Sequence, residues 1–186
     1  MSEEPTIEHI RQIYREADRL YTHAEVAEAT DGLAARITER LSDAMPLVLC
    51  IMNGGLIPTG MLLERLDFLL QLDYIHATRY RGETTGAQLQ WRRKPELSLQ
   101  GRSVLIVDDI LDEGLTLQTV RDWCLEQNPK EVLSAVLVEK RHDRKKTPIQ
   151  ADFVGLTVPD RYVFGFGMDY KNHLRNVPGI YAVRGL

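Results

Sequence analysis

The sequence predicts an α/β fold with a mainly parallel sheet flanked by helices. Short, continuous apolar runs recur along the chain, and segments with helical periodicity alternate with several of them. This alternation is typical of parallel sheets, because helices cover both faces of such a sheet. The 186 residues are 44% hydrophobic and 27% charged, which is an ordinary globular composition. We therefore expect a single domain that spans residues 1–186.

The first 45 residues are predicted to form a helical N-terminal segment. Apolar residues recur at three- and four-residue steps from Ile7 to Tyr21, which predicts an amphipathic helix. Thr22 and Glu25 have the spacing of a capping box, so a second helix is expected to begin there and to continue toward Pro46.

Six apolar runs after this segment are predicted to be strands. They lie at 47–52, 68–75, 104–107, 132–138, 152–156 and 162–166, with helices at 58–67 and 115–127. Ligands bind outside the carboxyl ends of the strands in open α/β sheets. The residues that follow each run are therefore the candidates for chemistry.

A long polar stretch, residues 78–100, separates the second and third predicted strands. Loops longer than about 12 to 15 residues are uncommon in compact domains unless they are functional or disordered. We predict a flexible active-site loop, with Gly82, Gly86 and an exposed Trp91 in a segment that becomes ordered with ligand. A β-hairpin is an equally good interpretation of its two ends.

Charge, cysteine content and hydropathy exclude several classes. The net charge of -4 argues against broad binding to nucleic acid. Cys50 and Cys124 each lie in an apolar stretch, which predicts two small buried side chains and no disulfide. No apolar window has the length of a membrane-spanning helix, and the N-terminus lacks a signal-peptide core. We expect a cytoplasmic protein with neither nucleic acid nor membrane as a partner.

Residues 104–120, VLIVDDILDEGLTLQTV, are the most informative segment. A helix that starts between Gly114 and Leu117 directs unpaired backbone N–H groups to one spot, which suits a phosphate, and Thr116 adds a hydroxyl. The preceding carboxylates can accept hydrogen bonds from a sugar diol or hold Mg²⁺. These carboxylates are Asp108, Asp109, Asp112 and Glu113. Helix capping alone is the alternative, but four carboxylates in six residues exceed that need.

This segment resembles the phosphoribosyl-pyrophosphate binding signature of the type I phosphoribosyltransferases. Further matches resemble the hypoxanthine-guanine branch of that family, in family order: MNGG at 52–55, RYRGE at 79–83, EKR at 139–141, DRYVFGFGMDY at 160–170, and Arg175. The resemblance covers residues 47–186, and the first 45 residues carry no motif. It implies the type I phosphoribosyltransferase fold, with a small hood region beside the parallel sheet and a long flexible loop.

The resemblance also implies how phosphoribosyl pyrophosphate is bound. Asp108 and Asp109 would take the ribose hydroxyls and a metal ion, with a shorter first side chain than the Glu-Asp that is common in the family. The 5-phosphate would bind at Glu113, Gly114, Leu115 and Thr116, and the pyrophosphate at Asn53, Gly54, Gly55 and Arg175.

Two of these assignments have simpler alternatives. Many relatives have Lys or Arg at the position of Asn53, so the pyrophosphate would depend more on Mg²⁺ and Arg175, with Arg79 or Arg81 as further candidates. Taken alone, Gly54 and Gly55 are as consistent with an ordinary turn, and Arg175 with a solvated helix residue.

For the purine, the resemblance implies that Asp112 lies near N7 as the catalytic proton acceptor and that Lys140 donates to O6. Tyr162 would stack on the base, the Val163 main chain would meet its Watson-Crick edge, and Asp169 would hold a second metal and line the exocyclic end. The alternatives are a surface lysine in a solvated basic turn at 140–146 and a core tyrosine. The five histidines form no recognisable catalytic set.

The implied activity is transfer of the 5-phosphoribosyl group from phosphoribosyl pyrophosphate to N9 of hypoxanthine or guanine. The products would be IMP or GMP and pyrophosphate, with Mg²⁺ as cofactor, in a homodimer or homotetramer. One alternative is a regulator of the same fold that senses a nucleotide. A receiver domain is a weaker alternative, because its acid pair follows the first strand, whereas Asp108 lies past the middle of this chain.

Overall fold

A computed structural model describes residues 4–79 and 89–185. The helices are α1 (Ile7–Glu16), α2 (His23–Leu41), α3 (Leu56–Leu63) and α4 (Leu115–Leu125). The strands are β1 (Asp18–Thr22), β2 (Leu47–Met52), β3 (Gln71–Arg79), β4 (Leu89–Arg93), β5 (Ser103–Leu111), β6 (Glu131–Arg141), β7 (Phe153–Pro159), β8 (Val163–Phe164) and β9 (Gly179–Ala182).

The predicted α/β fold with a mainly parallel sheet is confirmed. Six strands form one sheet in the order β4-β3-β2-β5-β6-β7, in which β4 is antiparallel to β3 and the other neighbours are parallel. Alternate residues of β2 explain why its apolar run is continuous. Leu47 and Leu49 pack in the cluster that contains α4 residues, whereas Val48 packs with residues of α2 and α3. Both faces of the central strands are therefore covered.

Two central strands extend further than their apolar runs predict. β5 continues through Asp108 and Asp109 to Leu111, and β6 continues through Lys140 to Arg141. Polar residues end an apolar run in the sequence, but they do not end a ladder whose backbone groups remain paired. Asp108, Asp109 and Lys140 thus lie on strands and not on loops.

The first predicted helix, from Ile7 to Tyr21, is shorter in the structure. α1 ends at Glu16, and β1 then pairs antiparallel with β9. No glycine or proline lies between α1 and β1, so periodicity alone gave no sign of the change. The capping box is confirmed: the Thr22 side chain accepts from the Glu25 N–H, and the Glu25 side chain accepts from the Thr22 N–H.

A second, three-stranded antiparallel sheet forms the hood, in the order β1-β9-β8. The predicted strand at 162–166 is shorter than expected and belongs to this sheet rather than to the parallel one. The hood packs on the main sheet through a cluster in which Val163 and Ile180 meet Val138 of β6. Helix α1 lies against the hood, with Ile10 and Ile13 packed beside Phe164.

Parts of the stretch at 78–100 are β-strand. β4 pairs with β3, so the hairpin interpretation holds for the ends of the stretch. Trp91 is not an exposed residue: its ring lies 5.4 Å from that of Trp123 and packs against the core. Gly82 and Gly86, with Arg81, lie outside the described residues.

The two cysteines are free and buried, as predicted. Burial raises the pKa of the Cys124 thiol to about 12. None of the helices in the described part of the chain is sufficiently long and apolar to cross a membrane.

Candidate active site

The candidate site lies beside β2, from which the chain adds strands first toward one edge of the sheet and then toward the other. The chain passes from β2 to β3 on one side and later returns to place β5 on the other side of β2. The loops after β2 and β5 therefore diverge and leave a crevice at the carboxyl ends of the strands, which is the usual ligand position in such sheets. Asn53 follows β2, and Asp112 follows β5.

A cavity of about 1080 Å³ opens at this position. Most of the predicted site residues line it: Asn53, Gly54, Asp108, Asp109, Asp112, Gly114, Thr116, Lys140, Tyr162, Val163, Asp169 and Arg175. Gly55, Glu113 and Leu115 are not among its lining residues. Sequence positions 53 and 175 are thus brought together, although more than half of the chain separates them.

One part of the cavity wall is an acidic group joined by an arginine. Arg175 Nη2 lies 2.5 Å from Asp169 Oδ1, and Nη1 lies 4.0 Å from Asp109 Oδ2. Asp108 and Asp109 are both buried. Burial raises the pKa of Asp109, although a hydrogen bond with Asp108 and the nearby Arg175 oppose this shift. Arg175 lies on a turn and is paired, so the alternative of a solvated helix residue is wrong.

The loop after β2 is packed against this acidic group. The Met52–Asn53 peptide is cis. A Cβ added at Gly54 would lie 2.5 Å from Asp109 Cγ, and one at Gly55 would lie 2.6 Å from the Val107 carbonyl oxygen. Both glycines therefore allow the loop to approach β5 closely, which an ordinary surface turn does not require.

The start of α4 has the geometry of a phosphate site. Gly114 is the N-cap residue, with φ of 85°, and helix α4 begins at Leu115. The first N–H groups of a helix have no partner within the helix, and they attract anions. Lys146 Nζ pairs with Glu113 Oε1 at 2.9 Å, so the Glu113 carboxylate is neutralised within the chain.

Asp112 is the centre of a second polar cluster. Lys140 Nζ donates to its Oδ2 at 2.9 Å, while His142 Nε2 lies 2.7 Å and Arg144 Nη2 lies 3.0 Å from its Oδ1. Burial opposes ionisation of Asp112, but the hydrogen bonds from Lys140 and His142 and the charge of Arg144 outweigh it. The pKa of Asp112 is therefore lowered.

His142 is the residue that sequence reasoning missed. The sequence did contain a signal: Lys140 and His142 are two residues apart at the end of a strand, and such residues lie on one face. Most of the basic run 140–146 is exposed, as a solvated turn predicts, but Lys140 is buried and several of the other side chains are paired. Arg144 bonds Asp160 and contacts Asp112, and Lys145 bonds Glu139.

Lys140 and Tyr162 also differ from their simpler alternatives. Lys140 is only 7% exposed, so it is not a surface lysine. Tyr162 is 41% exposed and lines the cavity, so it is not a core aromatic. Its ring meets that of Tyr170 edge-on at 5.4 Å. Val163 is buried in β8 directly beside it.

One further group in the described residues has metal-ligand spacing. Ligand atoms of Asp112, His142 and Asp160 lie within 4.8 Å of one another. The Arg144 guanidinium, however, already contacts both carboxylates, at 3.0 Å for Asp112 and 2.5 Å for Asp160. A cation of the chain itself therefore neutralises this group.

Comparison with known proteins places these features in context. Residues 16–173 match the family described as the phosphoribosyl transferase domain, a span that includes every predicted site residue except Arg175. The hypoxanthine-guanine-xanthine phosphoribosyltransferase of Tritrichomonas foetus is 30% identical over 180 residues, which cover 97% of this chain and 95% of that protein. The hypoxanthine-guanine phosphoribosyltransferase of Bacillus subtilis (strain 168) is 32% identical over 162 residues, with coverage of 87% and 89%. A crystal structure of a hypoxanthine phosphoribosyltransferase from Staphylococcus aureus has a TM-score of 0.87 at 25% identity, covering 96% of this chain and 97% of that chain.

Proposed function

The chain belongs to the phosphoribosyltransferase family, and we propose that it transfers the 5-phosphoribosyl group from phosphoribosyl pyrophosphate to N9 of hypoxanthine or guanine. The products are IMP or GMP and pyrophosphate. The relatives with these substrates in their names match nearly the whole chain. The resemblance of the sequence to this family and its fold is thus confirmed.

The observation that carries the proposal is the pairing of Lys140 with Asp112 in the cavity that also contains the start of α4. Lys140 Nζ and Asp112 Oδ2 are 2.9 Å apart. A 6-oxopurine presents an acceptor, O6, and a protonated N7 side by side. An ammonium is a donor only, and a carboxylate is an acceptor only. The pair therefore offers the two complementary groups at adjacent positions.

The same cavity accommodates the other substrate in the proposed arrangement. The 5-phosphate binds at the start of α4, from Gly114 to Thr116, where the helix N-terminus favours an anion. The ribose hydroxyls bind Asp108 and Asp109. The pyrophosphate binds the loop from Asn53 to Gly55 with Arg175. Glu113 and Leu115 do not line the cavity, and their proposed contribution is a backbone N–H group from each. Gly55 also lies outside the lining and its N–H donates to the Ile51 carbonyl oxygen, so its proposed part is to let the loop approach β5.

In the proposed reaction, N9 attacks C1 of the ribose while the bond from C1 to pyrophosphate breaks on the opposite face. The departing pyrophosphate takes the bonding electron pair, and the configuration at C1 inverts. Asp112 shares the N7 proton as the base becomes nucleophilic. Because the pKa of Asp112 is lowered, the group is an ionised acceptor at neutral pH, suited to sharing this proton and to stabilising positive charge on the purine.

The donor set also fits Mg²⁺, which we propose as the cofactor. Asp108, Asp109 and Asp169 supply only oxygen atoms at the cavity wall, and hard cations prefer oxygen ligands. When bound, Mg²⁺ supplies neutralisation of the pyrophosphate charge. The protein contributes Arg175, which contacts Asp109 and Asp169, to the same task. Asn53 is uncharged and contributes no cation.

We propose a homodimer or homotetramer as the assembly. Leu69, Leu72 and Tyr74 are exposed apolar residues in or beside β3, and such residues suit an interface between copies. Sedimentation of the purified protein measures its mass in solution. A monomer at working concentrations would contradict this part of the proposal.

The test of function is a direct assay. The purified chain is incubated with phosphoribosyl pyrophosphate, Mg²⁺ and one of hypoxanthine, guanine or adenine, and the nucleotides are resolved by chromatography. IMP and GMP are expected. Binding of phosphoribosyl pyrophosphate without any nucleotide product would instead support the alternative of a nucleotide-sensing regulator.

A further inference from the structure

His142 has an environment that fixes its tautomer. Its side chain is 3% exposed. The Arg144 backbone N–H donates to Nδ1 at 3.1 Å, so Nδ1 carries the lone pair. In a neutral imidazole the proton then lies on Nε2, which donates to Asp112 Oδ1 at 2.7 Å. The hydrogen-bond network, rather than an observed hydrogen, assigns this proton.

The two oxygens of Asp112 are held by different groups. Oδ2 accepts from Lys140, and Oδ1 accepts from His142 and meets Arg144. Arg144 is a weaker constraint, because its side chain is more exposed and its guanidinium also bonds Asp160. His142 is thus the buried donor that determines how the carboxylate is rotated.

We propose that His142 is a positioning residue, which holds Asp112 by Oδ1 so that Oδ2 and the Lys140 ammonium face N7 and O6 of the purine together. This inference rests on the proposed function. It adds a residue that contacts neither substrate but sets the orientation of the group that does. Without the Nε2–H donor, the carboxylate can rotate toward Lys140 and Arg144 and lose its alignment with N7.

Three variants of His142 separate positioning from a purely structural role. In His142→Gln, the side-chain amide keeps a donor at the position of Nε2 but loses the acceptor at Nδ1. In His142→Asn, the shorter side chain keeps an acceptor for the Arg144 N–H but does not reach Asp112. His142→Phe keeps the ring volume and lacks both groups.

We expect His142→Asn and His142→Phe to lower kcat/KM for hypoxanthine about 10- to 100-fold, the scale of a hydrogen bond to a charged group. His142→Gln should recover most of this loss. The KM for phosphoribosyl pyrophosphate should stay within about twofold in each variant, because the hydrogen bonds of the His142 ring go to Asp112 and to the Arg144 backbone N–H.

The pH profile gives an independent readout. His142, Lys140 and Arg144 favour the charged form of Asp112, whereas Asp160 and Glu113 are the acidic groups near the same cluster. The acid limb of kcat/KM should move to higher pH in His142→Phe and return in His142→Gln. A melting curve for each variant confirms that it is folded.

Three outcomes separate the possibilities. Activity that follows the Asn variant rather than the Gln variant would overturn the proposal in favour of a role in holding the turn at Arg144. Wild-type kinetics in folded His142→Phe would also overturn it. If the unmodified protein forms no nucleotide, the proposed function fails. This result differs from one in which the unmodified protein is active and the His142 variants have unchanged kinetics.

Discussion

Gly54 provides a sharp test of how the loop after β2, which is proposed to bind pyrophosphate, is packed. In Gly54→Ala, the new methyl carbon would lie 2.5 Å from Asp109 Cγ and closer still to its Oδ2. Asp109 is buried and has a short side chain, so it cannot swing into solvent. Gly167 also packs closely on the Gly54 carbonyl oxygen, which restricts how far the loop can shift.

The expected magnitude follows from this confinement. Overpacking of a well-packed site costs about 1–3 kcal/mol. For a chain of this size, such a loss lowers Tm by roughly 2–10 °C. Displacement of Asp109 should also lower kcat/KM for phosphoribosyl pyrophosphate at least about tenfold, since Asp109 is proposed to bind the ribose and the metal.

Gly60→Ala is the matched control. Gly60 lies inside α3, and a Cβ there would meet nothing within 4 Å. Alanine is favoured over glycine in a helix interior by about 0.5–1 kcal/mol, so Tm should rise slightly and kcat/KM should not change. The assays are thermal melting and steady-state kinetics with varied phosphoribosyl pyrophosphate. If Gly54→Ala has wild-type Tm and kinetics, the two glycines form an ordinary turn and the packing argument is refuted.

Other perturbations test the remaining parts of the site. Asp112→Asn should lower kcat by about two orders of magnitude, the scale of acid-base assistance, and an unchanged kcat would remove Asp112 from the mechanism. Excess chelator should abolish turnover, because the pyrophosphate charge needs a divalent cation; undiminished nucleotide formation would contradict the Mg²⁺ proposal. Lys140→Ala should weaken the binding of hypoxanthine and guanine more than the binding of adenine. The unmodified site should reject adenine by roughly 10⁴, because the amino group of adenine faces the Lys140 ammonium; unchanged base selectivity in competition assays would exclude a contact between Lys140 and O6. Because the pKa of Asp112 is lowered in the folded state, its ion pairs should stabilise the fold at neutral pH, and this contribution should be lost as the pH falls through that pKa. Melting curves between about pH 6 and pH 3 should therefore fall more steeply for the unmodified protein than for Asp112→Asn, and parallel curves would refute the linkage.

The parallel sheet and helix α4 were predictable because both depend on local patterns. Strands buried on two faces require continuous apolar runs, as in β2, and the switch point brings the ends of β2 and β5 together whatever the loop sequences are. The turn from Asp112 to Gly114 is likewise recognisable from its own residues, which are two acids followed by a glycine. These local features are therefore sufficient to predict where the cavity lies.

The hood and the hairpin were less predictable because they depend on distant partners. β1 has no breaker before it, and its extended form is stabilised by pairing with β9, at the other end of the chain. Trp91 is partly buried only because Trp123 of α4 lies beside it. Such tertiary pairing overrides local periodicity.

His142 illustrates a third reason. A run of basic residues is most often solvated, and nothing in the run 140–146 distinguishes the buried members from the exposed ones except the two-residue spacing of Lys140 and His142. The acceptor that makes this spacing meaningful, Asp112, lies on another loop. Charge pairing across two strand ends is therefore visible only once the sheet order is known.

The polar clusters around Arg175 and around Asp112 give two parts of the cavity opposite electrostatic properties. Near Arg175, the carboxylates of Asp109 and Asp169 share one guanidinium, and Asp108 is hydrogen-bonded to Asp109, so this part of the wall favours an added cation that can in turn bind pyrophosphate. Around Asp112, the opposite condition holds, because Lys140 and Arg144 contact it within the chain itself. A neutral purine can enter that part without leaving a charge unpaired, since the ammonium has three donors and can contact O6 while retaining Asp112. In the proposed arrangement, the pyrophosphate and the neutral purine are thus directed to different ends of one cavity, with the reacting C1 and N9 between them.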